Sequence, residues 1–255
     1  MSRGRLIIDP PAAGVSNMAI DQALLETANE KGNLTVRFYS WQEPTLSLGY
    51  FQDYQHRDQH WQSAECPVVR RSTGGGAIVH DREITYSICI PSENRWSADH
   101  EQLYWKVHQM IVDLLEAMGF PASLFEPAHS HYPPDYDASA FLCFQRRTPG
   151  DVTLAGYKIA GSAQRRKQNA ILQHGSLILA RSAAAPELPG ISDLVDHLSP
   201  ESHNLLFDEI LRQLETRMAK LFSEKLELGS LTESELEAAQ RWSEIHQAES
   251  WLLKR

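Results

Sequence analysis

The chain has 255 residues, of which 42% are apolar and 22% charged, and a net charge of −9. These proportions suit a globular fold with a full core; they exclude wholesale disorder and a fibrous repeat, and the acidic balance argues against a nucleic-acid partner. No apolar run approaches the roughly 18 residues of a membrane span, residues 1–14 lack the apolar stretch of a secretory signal, and three cysteines without a Cys-x-x-Cys pair point to a reducing, cytoplasmic compartment.

Ser16 and Asn17 offer N-caps to a helix with Ile20, Ala23, Leu24 and Thr27 on one face. Alternation predicts a strand over 34–41, a turn over 42–44 and a second strand over 45–51. Residues 57–65 read as a polar, helical connection, and 68–71 as a short strand running into a glycine cluster. Ile84, Tyr86, Ile88 and Ile90 alternate with Thr85, Ser87 and Cys89 in a strand that Pro91 ends. Residues 101–118 form an amphipathic helix with Leu103, Val107, Ile111 and Leu114 in its apolar stripe, stopped by Gly119. The stretch 121–137, rich in proline and histidine, reads as loop. Strands are predicted over 140–144, 152–154, 157–160 and 171–179, followed by a small-residue connection over 183–189 and then by helices alone, 205–222 and 232–253. The fold class is therefore α+β: residues 1–195 as one domain on a sheet, and 196–255 as a helical C-terminal extension packed on it.

Several constellations can carry chemistry. Three consecutive glycines, Gly74, Gly75 and Gly76, let a ligand lie against the main chain, and Arg70 and Arg71 before them can bind an anion. The segment lacks the ending of a phosphate loop and the spacing of a dinucleotide fingerprint, and a flexible hairpin turn is the alternative. Lys158 stands on a strand before Ala160, Gly161, Ser162 and Ala163. It reads either as a fixed cation beside a reacting carbonyl or as an edge lysine facing water. Cys143, flanked by apolar and aromatic residues, is a buried hydrophobe unless a cation holds its thiolate. Lys158, fifteen residues on across a strand–turn–strand, can supply that cation. Cys66 and Cys89 read as structural. His129 and His131 are spaced like a metal pair, but no carboxylate or cysteine frames them, and no metal site is assigned. In 146–167 the bases Arg146, Arg147, Lys158, Arg165, Arg166 and Lys167 stand against one acid, Asp151. This is a basic face for a negatively charged partner, or a solvated loop.

Taken in order, five segments resemble the lipoate–protein ligase and octanoyltransferase superfamily. They are Asn17-Met18-Ala19-Ile20-Asp21, Pro44-Thr45-Leu46-Ser47-Leu48-Gly49, residues 70–81 around the three glycines, residues 158–165, and Leu172-Gln173-His174-Gly175-Ser176-Leu177. The resemblance implies a mixed, largely antiparallel sheet with flanking helices, related to the biotin ligase catalytic domain, and a tunnel for an acyl chain. It puts Arg70, Arg71, Gly74, Gly75, Gly76, Ala77, His80, Ala160, Gly161, Ser162, Ala163 and His174 around the acyl or lipoyl group. Ligases of this kind use ATP and Mg to make lipoyl-adenylate; octanoyltransferases take octanoate from acyl carrier protein through a cysteine thioester and need no cofactor. Cys143-Phe144 and Lys158 fall where a ligase-like branch of the transferases keeps its Cys-Phe pair and its lysine. Ile84-Thr85-Tyr86-Ser87 and Leu231-Thr232-Glu233-Ser234-Glu235 look like that branch too, whereas the third glycine, Gly76, is more ligase-like. The resemblance thus implies an octanoyltransferase with Cys143 and Lys158 as catalytic residues. Its expected partners are octanoyl-acyl carrier protein and a lipoyl domain of a 2-oxoacid dehydrogenase or the glycine-cleavage H protein. Arg146, Arg147, Arg165, Arg166 and Lys167 would attract these acidic proteins, and a monomer is expected. An ATP-dependent lipoate ligase and a non-catalytic carrier-protein binder are the alternatives; the biotin ligase signature is absent.

Overall fold

The structure, a computed structural model, describes residues 4–94, 96, 99–128, 139–195, 203–222 and 225–254. His129, His131 and the later part of the loop read over 121–137 lie outside the described residues. In chain order the elements are β1 (Gly4–Ile8), α1 (Gly14–Lys31), β2 (Thr35–Tyr39), β3 (Thr45–Leu48), β4 (Val68–Arg70), β5 (Ile78–His80) and β6 (Glu83–Pro91). Then come α2 (His100–Ala117), β7 (Ala122–Leu124), β8 (Val152–Leu154), β9 (Tyr157–Lys167) and β10 (Ala170–Ile178). The chain continues through α3 (Ile191–Leu194), α4 (His203–Phe222), β11 (Leu226–Leu228), α5 (Glu233–Gln247) and α6 (Glu249–Leu252).

Among the described residues one sheet has eight strands in the order β11-β1-β2-β6-β10-β9-β8-β7, and a second has three, β4-β3-β5. From β2 outward to β7 every pairing is antiparallel, while β1 runs parallel to both β2 and β11. The class is therefore α+β with a mixed, largely antiparallel sheet. The alternation read in β6 sorts its side chains onto two layers. Ile84, Tyr86, Ile88 and Ile90 join Leu103, Val107, Ile111 and Leu114 of α2, and Ile210, Leu214 and Met218 of α4, in the main core. On the other face Cys89 packs with Leu24 and Leu25 of α1, and Ser87 donates to Asp21.

Helix α1 is covered on its outer side by α5, where Ala23, Ala238 and Ala239 let the two helices approach closely. The expected caps are corrected: α1 starts at Gly14 after Ala13, with no side-chain cap. Asn17 lies inside the helix, where its amide donates to the carbonyls of Ala12 and Ser40 and accepts from Arg37. The strand read over 140–144 is a single bridge, Leu142 to Ala77, followed by a 3₁₀ turn at Cys143–Gln145. The helical connection read over 57–65 falls on two 3₁₀ turns, Tyr54–Gln59 and Trp61–Ser63, the first capped by Asp53. The C-terminal stretch read as helices alone also contributes strand β11 to the edge of the sheet. No helix among the described residues is long and apolar enough to cross a membrane.

Candidate active site

The site is built around an irregularity in β9. Val152 of β8 pairs with Ala160, but the next residue, Thr153, pairs with Lys158, so β9 carries an extra residue as a bulge. Ile159 and Ala160 both enter the core, while Lys158 lies across Gly161, where a Cβ would come within 2.4 Å of its Cε and 2.7 Å of its Nζ. The buried Lys158 ammonium donates to Asp151 Oδ2 at 2.9 Å and faces Cys143 Sγ at 3.9 Å. It also stands 5.2 Å from the centre of the Phe144 ring. Burial pulls this ammonium down, but the facing Cys143 and Asp151 outweigh burial and hold it above the ordinary lysine range.

Main-chain contacts seat Cys143. Ala77 N donates to Phe141 O at 3.2 Å, and Cys143 N donates to Ala77 O at 2.7 Å. A Cβ on Gly76 would lie 3.3 Å from Cys143 N and Cα, so the third glycine leaves room for the backbone of the thiol-bearing turn. On the far side of Lys158, Asp151 is gripped by Tyr104, whose hydroxyl donates to Oδ1 at 2.9 Å, and by Thr148 N, which donates to Oδ2 at 2.7 Å. Burial first, and the facing carboxylate second, push the Tyr104 phenol far up. One turn later on α2, His108 Nδ1 donates to Gly150 O at 2.6 Å, which leaves Nε2 to accept from Ser162 Oγ. Ser162 Oγ in turn accepts from Tyr86. Burial lowers His108 to about 4, against the pull of the Gly150 carbonyl, so its imidazole is neutral at neutral pH.

A cavity joins these groups. It is lined by the expected Arg71, Gly75, His80, Cys143, Lys158, Gly161, Ser162, Ala163 and His174. Met18, Tyr39, Ile78, Thr85, Phe144, Gly175 and Ser176, which the sequence reading did not name as site residues, complete the wall. The glycine loop is no free hairpin, because Arg71 donates to the carbonyls of Ser47, Gly74 and Gly76. Burial lowers the Arg71 guanidinium to about 10, with Cys143 pulling it back up. His174 Nδ1 donates to Asp21 Oδ2 at 3.2 Å, and its Nε2 accepts from Thr73 at 2.6 Å, tying α1 to the same loop. His80 stacks on Trp41, with ring centres 4.0 Å apart, and its Nδ1 lies 2.7 Å from Glu83 Oε1.

Five expected ligand-contacting residues do not line the cavity. The Arg70 guanidinium is fully buried elsewhere, donating to the carbonyls of Gly49, Gln52, Trp251 and Leu252. Gly74 flanks Phe51, Gly76 and Ala77 seat Cys143, and Ala160 belongs to the main core. Arg70 and Arg71 are both buried, so neither adds to a surface patch. Of the basic stretch, Arg166 is exposed and Lys167 pairs with Glu26. Arg146, Arg147 and Arg165 are half-buried and donate to carbonyls of Ala140, Gly156 and Ser72. Sequence reasoning missed Asp151 as the partner of Lys158, although its place as the lone acid in a basic stretch was a signal. Tyr104 and His108 gave no such signal, since their roles depend on what α2 packs against.

The fold is that of the lipoate-protein ligases. A bi-partite lipoate protein ligase of Thermoplasma acidophilum, described with its E2 lipoyl domain, superposes with a TM-score of 0.75 at 19% identity, over 99% of this chain and 97% of that one. The chain belongs to the family of the lipoyl protein ligase A/B catalytic domain, which it matches over residues 14–224. An octanoyltransferase LipM of Oceanobacillus iheyensis is 38% identical over 179 residues, 67% of this chain but 62% of that relative, less than two thirds of its length. An octanoyltransferase LipM of Kyrpidia tusciae is 32% identical over 271 residues, 98% of each chain.

Proposed function

We propose that this chain is an octanoyltransferase of protein lipoylation. It moves octanoate from acyl carrier protein, through a thioester on Cys143, to a lysine of a lipoyl domain or the glycine-cleavage H protein. It works as a cytoplasmic monomer and needs no cofactor. The observation that carries the reading is the Lys158 ammonium 3.9 Å from Cys143 Sγ in the wall of one cavity. The names of the Oceanobacillus and Kyrpidia relatives support it.

Lys158 holds the Cys143 thiolate, which attacks the carbonyl carbon of the incoming thioester. The new C–S bond forms, the bond to the carrier breaks, and the carrier leaves with the proton that Cys143 gave up. One thioester replaces another, so no nucleotide is required. Lys158 also faces the negative charge that develops on the carbonyl oxygen. The acceptor amine then attacks the acyl-enzyme, the C–N bond forms, and the departing thiolate takes the nitrogen's proton. An amide is more stable than a thioester, which drives this step forward. The acyl chain lies against Met18, Ile78, Gly75 and Ala163. Burying its seven carbons at about 0.8 kcal/mol each contributes about 6 kcal/mol before costs. The exposed Arg166 and the half-buried Arg146, Arg147 and Arg165 give an acidic carrier or lipoyl domain positive charge to approach, while Lys167 is partly offset by Glu26.

Mass spectrometry tests the reading. With octanoyl-acyl carrier protein and no nucleotide, a thioester adduct is expected on Cys143 and none on the Cys143→Ala variant. Adenylate formed from lipoate, ATP and Mg, with Cys143→Ala still active, identifies a ligase instead. Neither product leaves a carrier-protein binder.

A further inference from the structure

An enzyme that donates an acyl group to lysine while keeping a lysine beside its own acyl-cysteine faces a hazard. Lys158 Nζ is 3.9 Å from Cys143 Sγ. The thioester carbon bonded to that sulfur lies within reach of a near-attack distance of about 3–3.5 Å. A neutral Lys158 would attack that carbon. The C–N bond would form, the C–S bond would break, and the nitrogen's proton would pass to the leaving thiolate. The product would be an octanoyl amide on Lys158 beside a free Cys143 thiol, a dead enzyme.

Distance gives no protection, because Lys158 is bedded on Gly161 and faces the sulfur. Protection must therefore come from the proton on Nζ. Burial favours the neutral amine, and the charge of Arg147 acts in the same direction. Two groups oppose them, Cys143 and Asp151. An acylated Cys143 carries no charge to hold that proton, so during the life of the acyl-enzyme Asp151 is left to hold it. Its carboxylate is placed for that: 1% exposed, 2.9 Å from Nζ, and prevented from swinging away by Tyr104 Oη and Thr148 N.

We propose that Asp151 is a positioning residue that keeps Lys158 protonated while Cys143 carries the acyl group, and so blocks acyl migration onto the enzyme's own lysine. The proposal rests on the transferase reading above. The test uses the full chain with octanoyl-acyl carrier protein and no acceptor, with intact mass and peptide mapping before and after hydroxylamine, which cleaves thioesters and spares amides. The unsubstituted protein is expected to give a hydroxylamine-labile adduct on Cys143. Asp151→Asn is expected to give a hydroxylamine-resistant octanoyl group on Lys158, at least about tenfold above the unsubstituted protein, since each lost pKa unit frees about tenfold more amine. Asp151→Asn combined with Lys158→Arg should carry no resistant adduct. If Asp151→Asn acylates Cys143 and leaves Lys158 unmodified, or loses the thioester without forming the amide, the proposal is overturned. If the unsubstituted protein forms no labile adduct, the transferase reading falls first and this proposal with it. Should Asp151→Asn fail to fold, Asp151→Ser, which also removes the charge facing Nζ, is read the same way: an amide on Lys158 above background supports the proposal, and none overturns it.

Discussion

Gly161 acts through the side chain it does not have. A Cβ there would meet Lys158 Cε at 2.4 Å and Nζ at 2.7 Å, the far end of a flexible chain. Gly161→Ala is therefore expected to push the ammonium off Cys143 and, because the buried Lys158–Asp151 pair is strained with it, to cost about 1–3 kcal/mol. Acylation of Cys143 should slow by at least about tenfold, read as the rate of thioester formation well below the lowered melting temperature. An unchanged rate would show that the place of Lys158 is immaterial. At this scale the meeting of Cys143 and Lys158 in one cavity was legible, because a lone thiol calls for a nearby cation and Lys158 stood fifteen residues on, across a turn. Asp151 was visible but unassigned. His108 was invisible: it sits among the apolar residues of α2, fully buried, and its meaning depends on Gly150 and Ser162 folding back against it.

Helix α1 packs on one face of strand β6, and each lends a residue to the cavity wall, Met18 and Thr85. Their sequences show this unequally. The alternation of β6 is plain because each face meets a different layer, whereas α1 is buried on most of its surface and its apolar stripe is blurred by Asn17, Asp21 and Gln22. Those residues are polar because α1 delivers Asp21 to a buried knot of Arg37, Tyr39, Ser87 and His174. The start of α5 is better marked: Thr232 and Glu235 form a capping box, and Glu235 also pairs with Arg5 of β1. Strand β11 was hidden because three residues carry no period, and the turn at Cys143 was misread as strand because its partner, Ala77, lies far away in sequence. The α1–α5 contact makes a sharp prediction. Ala23→Leu forces a large side chain between Ala238 and Ala239 and should cost about 1–3 kcal/mol, measured by denaturant unfolding. No loss would mean that α5 does not pack there in solution.

For the whole molecule, we propose that residues 196–255 fold as part of the same domain as 1–195. Strand β11 extends the sheet, α5 covers α1, and Arg70 donates to the carbonyls of Trp251 and Leu252. His246 Nδ1 returns a hydrogen bond to Arg70 O at 3.2 Å. Burial lowers His246 to about 4, as it does His108. Both therefore take up protons more readily in the unfolded chain, where an ordinary value near 6.5 applies. Their contribution is complete above pH 6.5 and is lost as pH falls from 6.5 toward 4. The carboxylates of Asp21 and Glu83, held below their ordinary 3.8 and 4.5, add losses that begin as pH approaches those values and continue below them, so Glu83 overlaps the acid end of the same window. A single cooperative thermal transition is expected, moving to lower temperature across that window, with a shallower slope for His246→Gln. Two transitions, or a profile flat from pH 6.5 to 4, would contradict this account.

The socket that carries the sulfur is made of peptide groups: Ala77 clasps the chain on both sides of Leu142, and Gly76 supplies the clearance. Nothing in that clasp requires the atom it presents. Reagent and holder are consequently separable, so exchanging the thiol for a hydroxyl or a methyl edits the reagent alone, whereas enlarging Gly76 tilts the holder and leaves the reagent intact. A site assembled this way lets an experimenter vary reactivity and aim one at a time.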